Sequence, residues 1–174
     1  MPTLRAAGED DLPAILAIYN HAIENTTAVF EYRPQTLDMR REWFRAKAAA
    51  GLPIVVAVED DRVIGFASYG PFRAWPAYKY TVEHSVYVDA SSRGRGVGRA
   101  LLNEVVAEAR RHDIHAVIAG ITTDNLPSLH LHQALGFVEV AHFLEVGYKF
   151  GRWLDLTFLQ LLLDTPSDPS ERET

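Results

Sequence analysis

The chain contains no cysteine. That absence excludes disulfides, a thiolate-ligated zinc and a thiol nucleophile, and it agrees with a reducing compartment. Long apolar runs are missing too. None approaches the roughly 18 to 20 residues that span a bilayer, and the amino terminus, MPTLRAAGEDD, lacks the basic-then-apolar order of a secretory leader. A soluble, cytoplasmic protein without a membrane partner is expected. Basic residues are outnumbered by acidic ones, for a formal charge of -6, and apart from Arg93, Arg95 and Arg99 they are scattered. No broad positive stripe is offered to nucleic acid, so any polyanion bound here should be small. A metal set is also lacking. His130 and His132 sit two apart on a reading of this segment as helix, so they diverge by about 200° and one ion cannot readily meet both. No metal is expected, and His21, His84, His112, His115 and His142, which show no convergent spacing, are assigned surface or packed roles.

What is present suits one compact domain. With 174 residues and 48% hydrophobic composition, the core is large enough to need no covalent staple. The domain is expected to span residues 1–164, with the polar stretch 165–174, TPSDPSERET, as a disordered tail. A strand at Thr3 to Ala6 precedes Asp10 and Asp11, either of which can cap a helix whose apolar face is Leu12, Ile15, Leu16, Tyr19 and Ile23. Thr36 can cap a second helix running to Gly51. Residues 53–58 and 63–69 flank Glu59-Asp60-Asp61-Arg62 as a hairpin. Residues 70–80, GPFRAWPAYKY, read as an aromatic loop, followed by a strand from Val82 to Val88, a helix over 99–111, a strand from His115 to Ile121 and a helix from Ser128 to Leu135. Two last strands lie around Gly147 to Trp153. Strands first and alternation later predict an α/β domain of mixed α+β character, a mixed sheet with helices on both faces.

The segment SVYVDASSRGRGVGRALL, Ser85 to Leu102, joins a strand to a helix through alternate glycines and arginines. Glycine permits positive φ and close approach of a ligand, while the first helical turn offers unpaired N–H groups and a partial positive charge. Gly94, Arg95, Gly96, Val97, Gly98 and Arg99 could therefore cradle a diphosphate. Taken alone, the run reads equally well as a flexible, solvated loop. Two other phosphate loops are excluded, because the pattern G-x-G-x-x-G from Gly94 ends on Arg99 and no Gly-Lys-Ser/Thr follows.

The combination Val86-Tyr87-Val88, a short gap and Arg93-x-x-Gly96-x-Gly98 resembles the acetyl-CoA motif of the GNAT superfamily of N-acetyltransferases. A second motif of that superfamily matches Asn125, Ser128, Leu131, Gly136 and Phe137, with His132 where most members carry tyrosine. Tyr19-Asn20, Thr26-Thr27-Ala28, Trp43-Phe44, Thr81 to Val88 (TVEHSVYV) and Lys149 to Asp155 (KFGRWLD) narrow the resemblance to the phosphinothricin and methionine sulfone/sulfoximine N-acetyltransferases. The likeness implies a GNAT fold: a central, mostly antiparallel sheet, splayed between strands 4 and 5, with the pantetheine arm of acetyl-CoA in the split. It also implies Val86, Tyr87 and Val88 as backbone partners of the cofactor, an N–H of this strand as oxyanion donor, Asn125 as a further contact, and a homodimer.

Acetyl transfer needs a neutral amine, a donor for the oxyanion and an exit for the thiolate. Glu83, on the strand entering the split, is the candidate base, where the family also places its own; the alternative is a surface strand carboxylate. Thr81, Ser85 and Tyr87 should share its face, and His84, Val86 and Val88 the other. His132 can hydrogen-bond the sulfur, assist deprotonation or fix a water, unless it is a packed helical histidine. The resemblance assigns the substrate to Arg73, Ala74 and Trp75: Arg73 suits a carboxylate and Trp75 a pocket wall. Lys149 and Arg152 are read as braces between strands or part of a dimer face. The expected activity is acetylation of the α-amine of a small amino acid such as phosphinothricin, methionine sulfone or methionine sulfoximine. Acetylation of another amine or a peptide amino terminus is one alternative, and a non-catalytic acyl-CoA sensor is another.

Overall fold

A computed structural model describes residues 2–171. The chain runs β1 (Thr3–Ala6), α1 (Leu12–Asn25), α2 (Leu37–Ala49), β2 (Ile54–Glu59), β3 (Arg62–Pro71), β4 (Thr81–Val88), α3 (Val97–Arg111), β5 (Ala116–Thr122), α4 (Leu126–Gln133), β6 (Val138–Lys149) and β7 (Arg152–Leu162). The strands form one seven-stranded sheet in the order β1-β2-β3-β4-β5-β7-β6. Every neighbouring pair is antiparallel except β4 and β5.

Period-two alternation explains the layers. In β2, Ile54 and Val56 pack with Leu12, Ile15 and Ile18 of α1, while Val55 and Ala57 pack with Leu101, Leu102 and Val105 of α3. Helices thus cover both faces, and β2 is apolar on both sides because neither meets water. The β2–β3 hairpin turns at Asp60 and Asp61, both with positive φ, the conformation a tight two-residue turn requires.

Several boundaries differ from the sequence reading. Neither Asp10 nor Asp11 caps α1 through its side chain. Asp11 instead accepts two hydrogen bonds from Arg5, at 2.6 and 2.9 Å, and one from the Gly8 amide at 2.8 Å, and is held well below the usual carboxylate range by Arg5. Thr36 does cap α2, accepting from the Met39 amide at 3.3 Å. α3 starts at Val97, two residues early, because Gly96 takes the left-handed conformation and its carbonyl already receives the Ala100 amide at 3.0 Å. α4 is shifted toward Leu126 because Asn125 caps it. The turn between β6 and β7 falls at Phe150 and Gly151, with Gly147 inside β6. Of the tail, Thr165 donates to the Ile114 carbonyl at 2.5 Å and Ser170 exchanges hydrogen bonds with Tyr80 at 3.1 and 3.2 Å. Residues 172–174 lie outside the described part of the chain.

Candidate active site

β4 and β5 pair over three residues only: Thr81 with Ala116, Val82 with Val117, and Glu83 with Ile118. Beyond that point β4 follows β3 as far as Val88 opposite Gly65, and β5 follows β7 as far as Thr122 opposite Leu156. The strands therefore part at Glu83, and the facing edges of both run on unpaired. An edge of free N–H and C=O groups inside a molecule is normally covered by another chain or by a ligand with matching groups.

A groove of about 770 Å³ fills the outer part of this fork. Of the expected cofactor residues, Val86, Tyr87, Val88, Gly94, Gly96, Gly98, Arg99 and Asn125 line it, together with His132. At its far end Gly94 and Gly96 hold φ of +73° and +83°, with open space where a Cβ would project. Val97, Gly98 and Arg99 are the first residues of α3, so their amides have no partner within the helix. The open cradle, these amides and the exposed arginines Arg93 and Arg99 fit a diphosphate. Gly98 is closer packed, since a Cβ there would lie 3.4 Å from the end of the Leu131 side chain on α4. Arg95 and Val97 do not line the groove. Arg95 reaches back to Glu59 at 2.8 Å, and the Val97 side chain is buried in the core.

The inner part of the fork is a smaller space of about 320 Å³ lined by Glu83, His84, Ser85, Gly120, Thr27 and Phe30, among others, and it shares Val86, Tyr87, Asn125 and His132 with the outer groove. Glu83 is half-buried there against β5. A Cβ on Gly120 would fall 3.1 Å from the Glu83 carboxylate and 3.0 Å from the Phe158 ring, so the bare backbone of Gly120 is what leaves room for both. Burial pushes the Glu83 carboxyl above its ordinary range, and the charge of Arg73 partly opposes that rise.

The fork's lip comes from residues far apart in sequence. Thr27 Oγ1 lies 3.0 Å from Thr122 Oγ1 and donates to Asp124 at 3.1 Å, and Asp124 is paired with Arg152. The Phe30 ring lies against Gly147, where any side chain would collide with it. Lys149, buried, donates to the carbonyls of Ile23, Thr26 and Val29 at 2.6, 2.9 and 2.7 Å, so it pins the end of α1 that carries Thr27 and Ala28. The brace expected of Lys149 thus joins β6 to a helix end. Arg152 also lines the outer groove.

Sequence reasoning missed Phe30, Gly120, Asp124 and His84. Only the contact order of the folded chain brings the first three to the fork. For His84, period two gave the face but not the neighbour. Its Nε2 lies 3.1 Å from His132 Nε2, with the two ring planes 16° apart and their centroids 5.0 Å apart. His132 is buried, and its Nδ1 lies 2.7 Å from the Ser128 carbonyl. Both nitrogens of His132 are therefore engaged within the protein. Arg73, Ala74 and Trp75 line neither space. Arg73 stacks on Phe72 at 4.2 Å and donates to its carbonyl, and Trp75 is 71% exposed.

A family model described as Acetyltransferase (GNAT) family matches residues 15–137. The chain belongs to the GNAT acetyltransferase family. It is 47% identical to the L-amino acid N-acyltransferase MnaT of Escherichia coli, over 96% of this chain and 97% of that protein. It is 46% identical to the L-methionine sulfoximine/L-methionine sulfone acetyltransferase of Salmonella typhimurium, over 96% of this chain and 98% of the relative. Among solved structures, a GNAT superfamily phosphinothricin acetyltransferase from Sinorhizobium meliloti in complex with acetyl-CoA superposes with a TM-score of 0.92. It is 35% identical, and the match covers 97% of this chain and 92% of that one. The GNAT family sheet, with its parallel β4–β5 pair and helices on both faces, is the architecture expected from the sequence.

Proposed function

We propose that this GNAT acetyltransferase moves the acetyl group of acetyl-CoA to the α-amine of a small amino acid of the methionine sulfone, methionine sulfoximine or phosphinothricin type. The observation that carries the reading is the fork, with an open glycine cradle at its mouth and a half-buried carboxylate at its apex. When bound, acetyl-CoA supplies an acyl group activated as a thioester. The cradle amides and Arg99 hold the diphosphate, and the free edges of β4 and β5 hold the arm between them. Glu83 takes a proton from the incoming ammonium and frees the nitrogen lone pair that forms the amide bond. A β4 amide stabilises the negative oxygen as the C–S bond breaks. The thiolate takes up the second nitrogen proton, so ammonium and thioester give amide, thiol and one proton held by Glu83.

Engagement of both His132 nitrogens supports a polar wall in place of a proton donor for that residue. Arg73, with its charge felt at Glu83, suits the substrate carboxylate once the loop that carries it closes over the fork. The exposed apolar side chains of β6 and β7, among them Leu144, Val146 and Trp153, favour a homodimer. Release of CoA from acetyl-CoA should be measured with methionine sulfone, methionine sulfoximine and phosphinothricin against spermidine and a peptide. Turnover of the first three is expected, and turnover of the last two alone would overturn the choice of substrate. Tight acetyl-CoA binding with no CoA release across the panel would make the protein a sensor.

A further inference from the structure

The histidine pair at the fork has its protonation set by elimination. The Ser128 carbonyl can only accept, so His132 Nδ1, 2.7 Å away, carries a proton. Burial disfavours charge on both rings, which leaves a neutral His132 with a bare lone pair on Nε2. His84 Nε2, 3.1 Å from it, must then be the donor. A neutral His84 with its proton on Nε2 has a bare Nδ1, and that atom is buried without a hydrogen-bond partner among the described residues. The result is a chain of one polarity, from His84 through His132 to the Ser128 carbonyl.

We propose that His84 is a positioning residue for acetyl transfer: its Nε2–H occupies the lone pair of His132 and keeps that ring a neutral wall of the fork. The inference rests on the acetyl-transfer reading. Without this donor, His132 would present a free lone pair to the fork and, once protonated, a cation facing the ammonium group it must admit. The surroundings would not hold such a charge elsewhere. Tyr69, opposite His84 on β3, has its hydroxyl 2.5 Å from His112 Nδ1; Glu83 projects from the other face of β4; His130 is exposed on α4; and β5 carries no ionisable side chain. The Phe137 ring closes over both histidines, with centroids at 5.7 and 5.1 Å.

Nitrogen-15 NMR of the intact enzyme should find His132 protonated on Nδ1 and His84 on Nε2, with neither titrating between about pH 5.5 and 8 around the ordinary imidazole value of roughly 6.5. His84→Phe should let His132 titrate in that window. The acid side of the kcat/KM profile for the amine should then steepen from one proton to two. Activity at pH 6 should fall about fourfold, the loss expected when a second group titrating near the ordinary imidazole value of roughly 6.5 must be neutral, while acetyl-CoA affinity stays unchanged. His84→Gln, which keeps an N–H for the same lone pair, should restore the single-proton slope. A wild-type His132 protonated on Nε2, or a folded His84→Phe enzyme with the wild-type profile, would overturn the proposal. If His84→Phe fails to fold, the wild-type tautomers and the His84→Gln slope decide. Correct tautomers in a protein that acetylates no amine would overturn the functional reading and, with it, any role in transfer, leaving the hydrogen-bonded pair intact.

Discussion

The two ends of the fork are built by opposite means. The proposed cofactor end centres on the stretch from Val86 through Gly98, joined by Asn125 and His132, and what it offers a diphosphate is mostly main chain and open space. The proposed acceptor end is assembled from Thr27, Phe30, Glu83, Gly120 and Phe158, from four separate segments, and there side-chain placement is what counts. Binding a diphosphate requires amides and space, which a short local sequence can encode. Removing a proton from an amine requires a carboxylate with a tuned affinity for protons, and only tertiary burial tunes it. Damage at the first end should therefore appear in cofactor affinity, and damage at the second in turnover.

The comparison is broken most severely by Glu83→Gln. With no base at the apex, kcat should drop by about 10²- to 10⁴-fold, the usual range for loss of a positioned acid or base. Acetyl-CoA affinity, measured by calorimetry, should stay within about twofold, the limit expected when no cofactor contact changes. A comparable loss of affinity would mean that the two ends are not separable. Gly96→Val is the converse. Gly96 sits at φ +83°, and a β-branched residue forced there strains the backbone by about 1–3 kcal/mol. The strain moves the amides that begin α3, so affinity for acetyl-CoA should fall about tenfold to hundredfold by the same energy scale. Single-turnover rates at saturating cofactor should change far less.

Gly120→Ala is a finer instrument, because it touches Glu83 without altering it. The added methyl would lie 3.1 Å from the carboxylate and 3.0 Å from Phe158, both too close, so the ring must give and the flexible carboxylate must shift by a few tenths of an ångström. A displacement of that size should lower kcat by about threefold to tenfold, since proton transfer is sensitive to small misplacement. Acetyl-CoA affinity should not move.

The same division sets what could be read from the residues. The hairpin, the two helices before it, the Thr36 cap and the strand-loop-helix of the cofactor end all follow from local rules and were legible to within a few residues. Boundaries slipped where a tertiary partner outbid a local one. Asp11 serves Arg5 and Gly8 instead of α1, and Gly96 starts α3 early because the carbonyl of a left-handed residue can still accept the first hydrogen bond of the helix. The place of Glu83 at the point where β4 and β5 part was legible through family resemblance and through its position on the strand. Gly120 and Phe30 were not, because their importance lies in what is absent beside them, a Cβ in one case and the side chain of Gly147 in the other. The His84–His132 bond joins residues 48 apart in the chain, and no periodicity announces it.

The smallest expected effect concerns Arg73, which the family resemblance assigned to the substrate and which lines neither space. Its charge nevertheless lowers the proton affinity of Glu83 against the upward push of burial. The sign follows directly. In the proposed role of base, Glu83 must be ionised, so kcat/KM should fall as pH drops through its pKa, and that limb should lie above the ordinary carboxylate range. Arg73→Ala removes the opposing charge and should move the limb further up, by a fraction of a pH unit, because an exposed guanidinium is screened by water. Added salt provides the control: about 0.5 M sodium chloride should shift the wild-type limb in the same direction by screening the pair and leave the variant's limb in place. A substrate carboxylate held by Arg73 would add a rise in amine KM to this shift. A limb that moves without that rise would confine Arg73 to tuning Glu83, and the substrate's anion would then need a different cation.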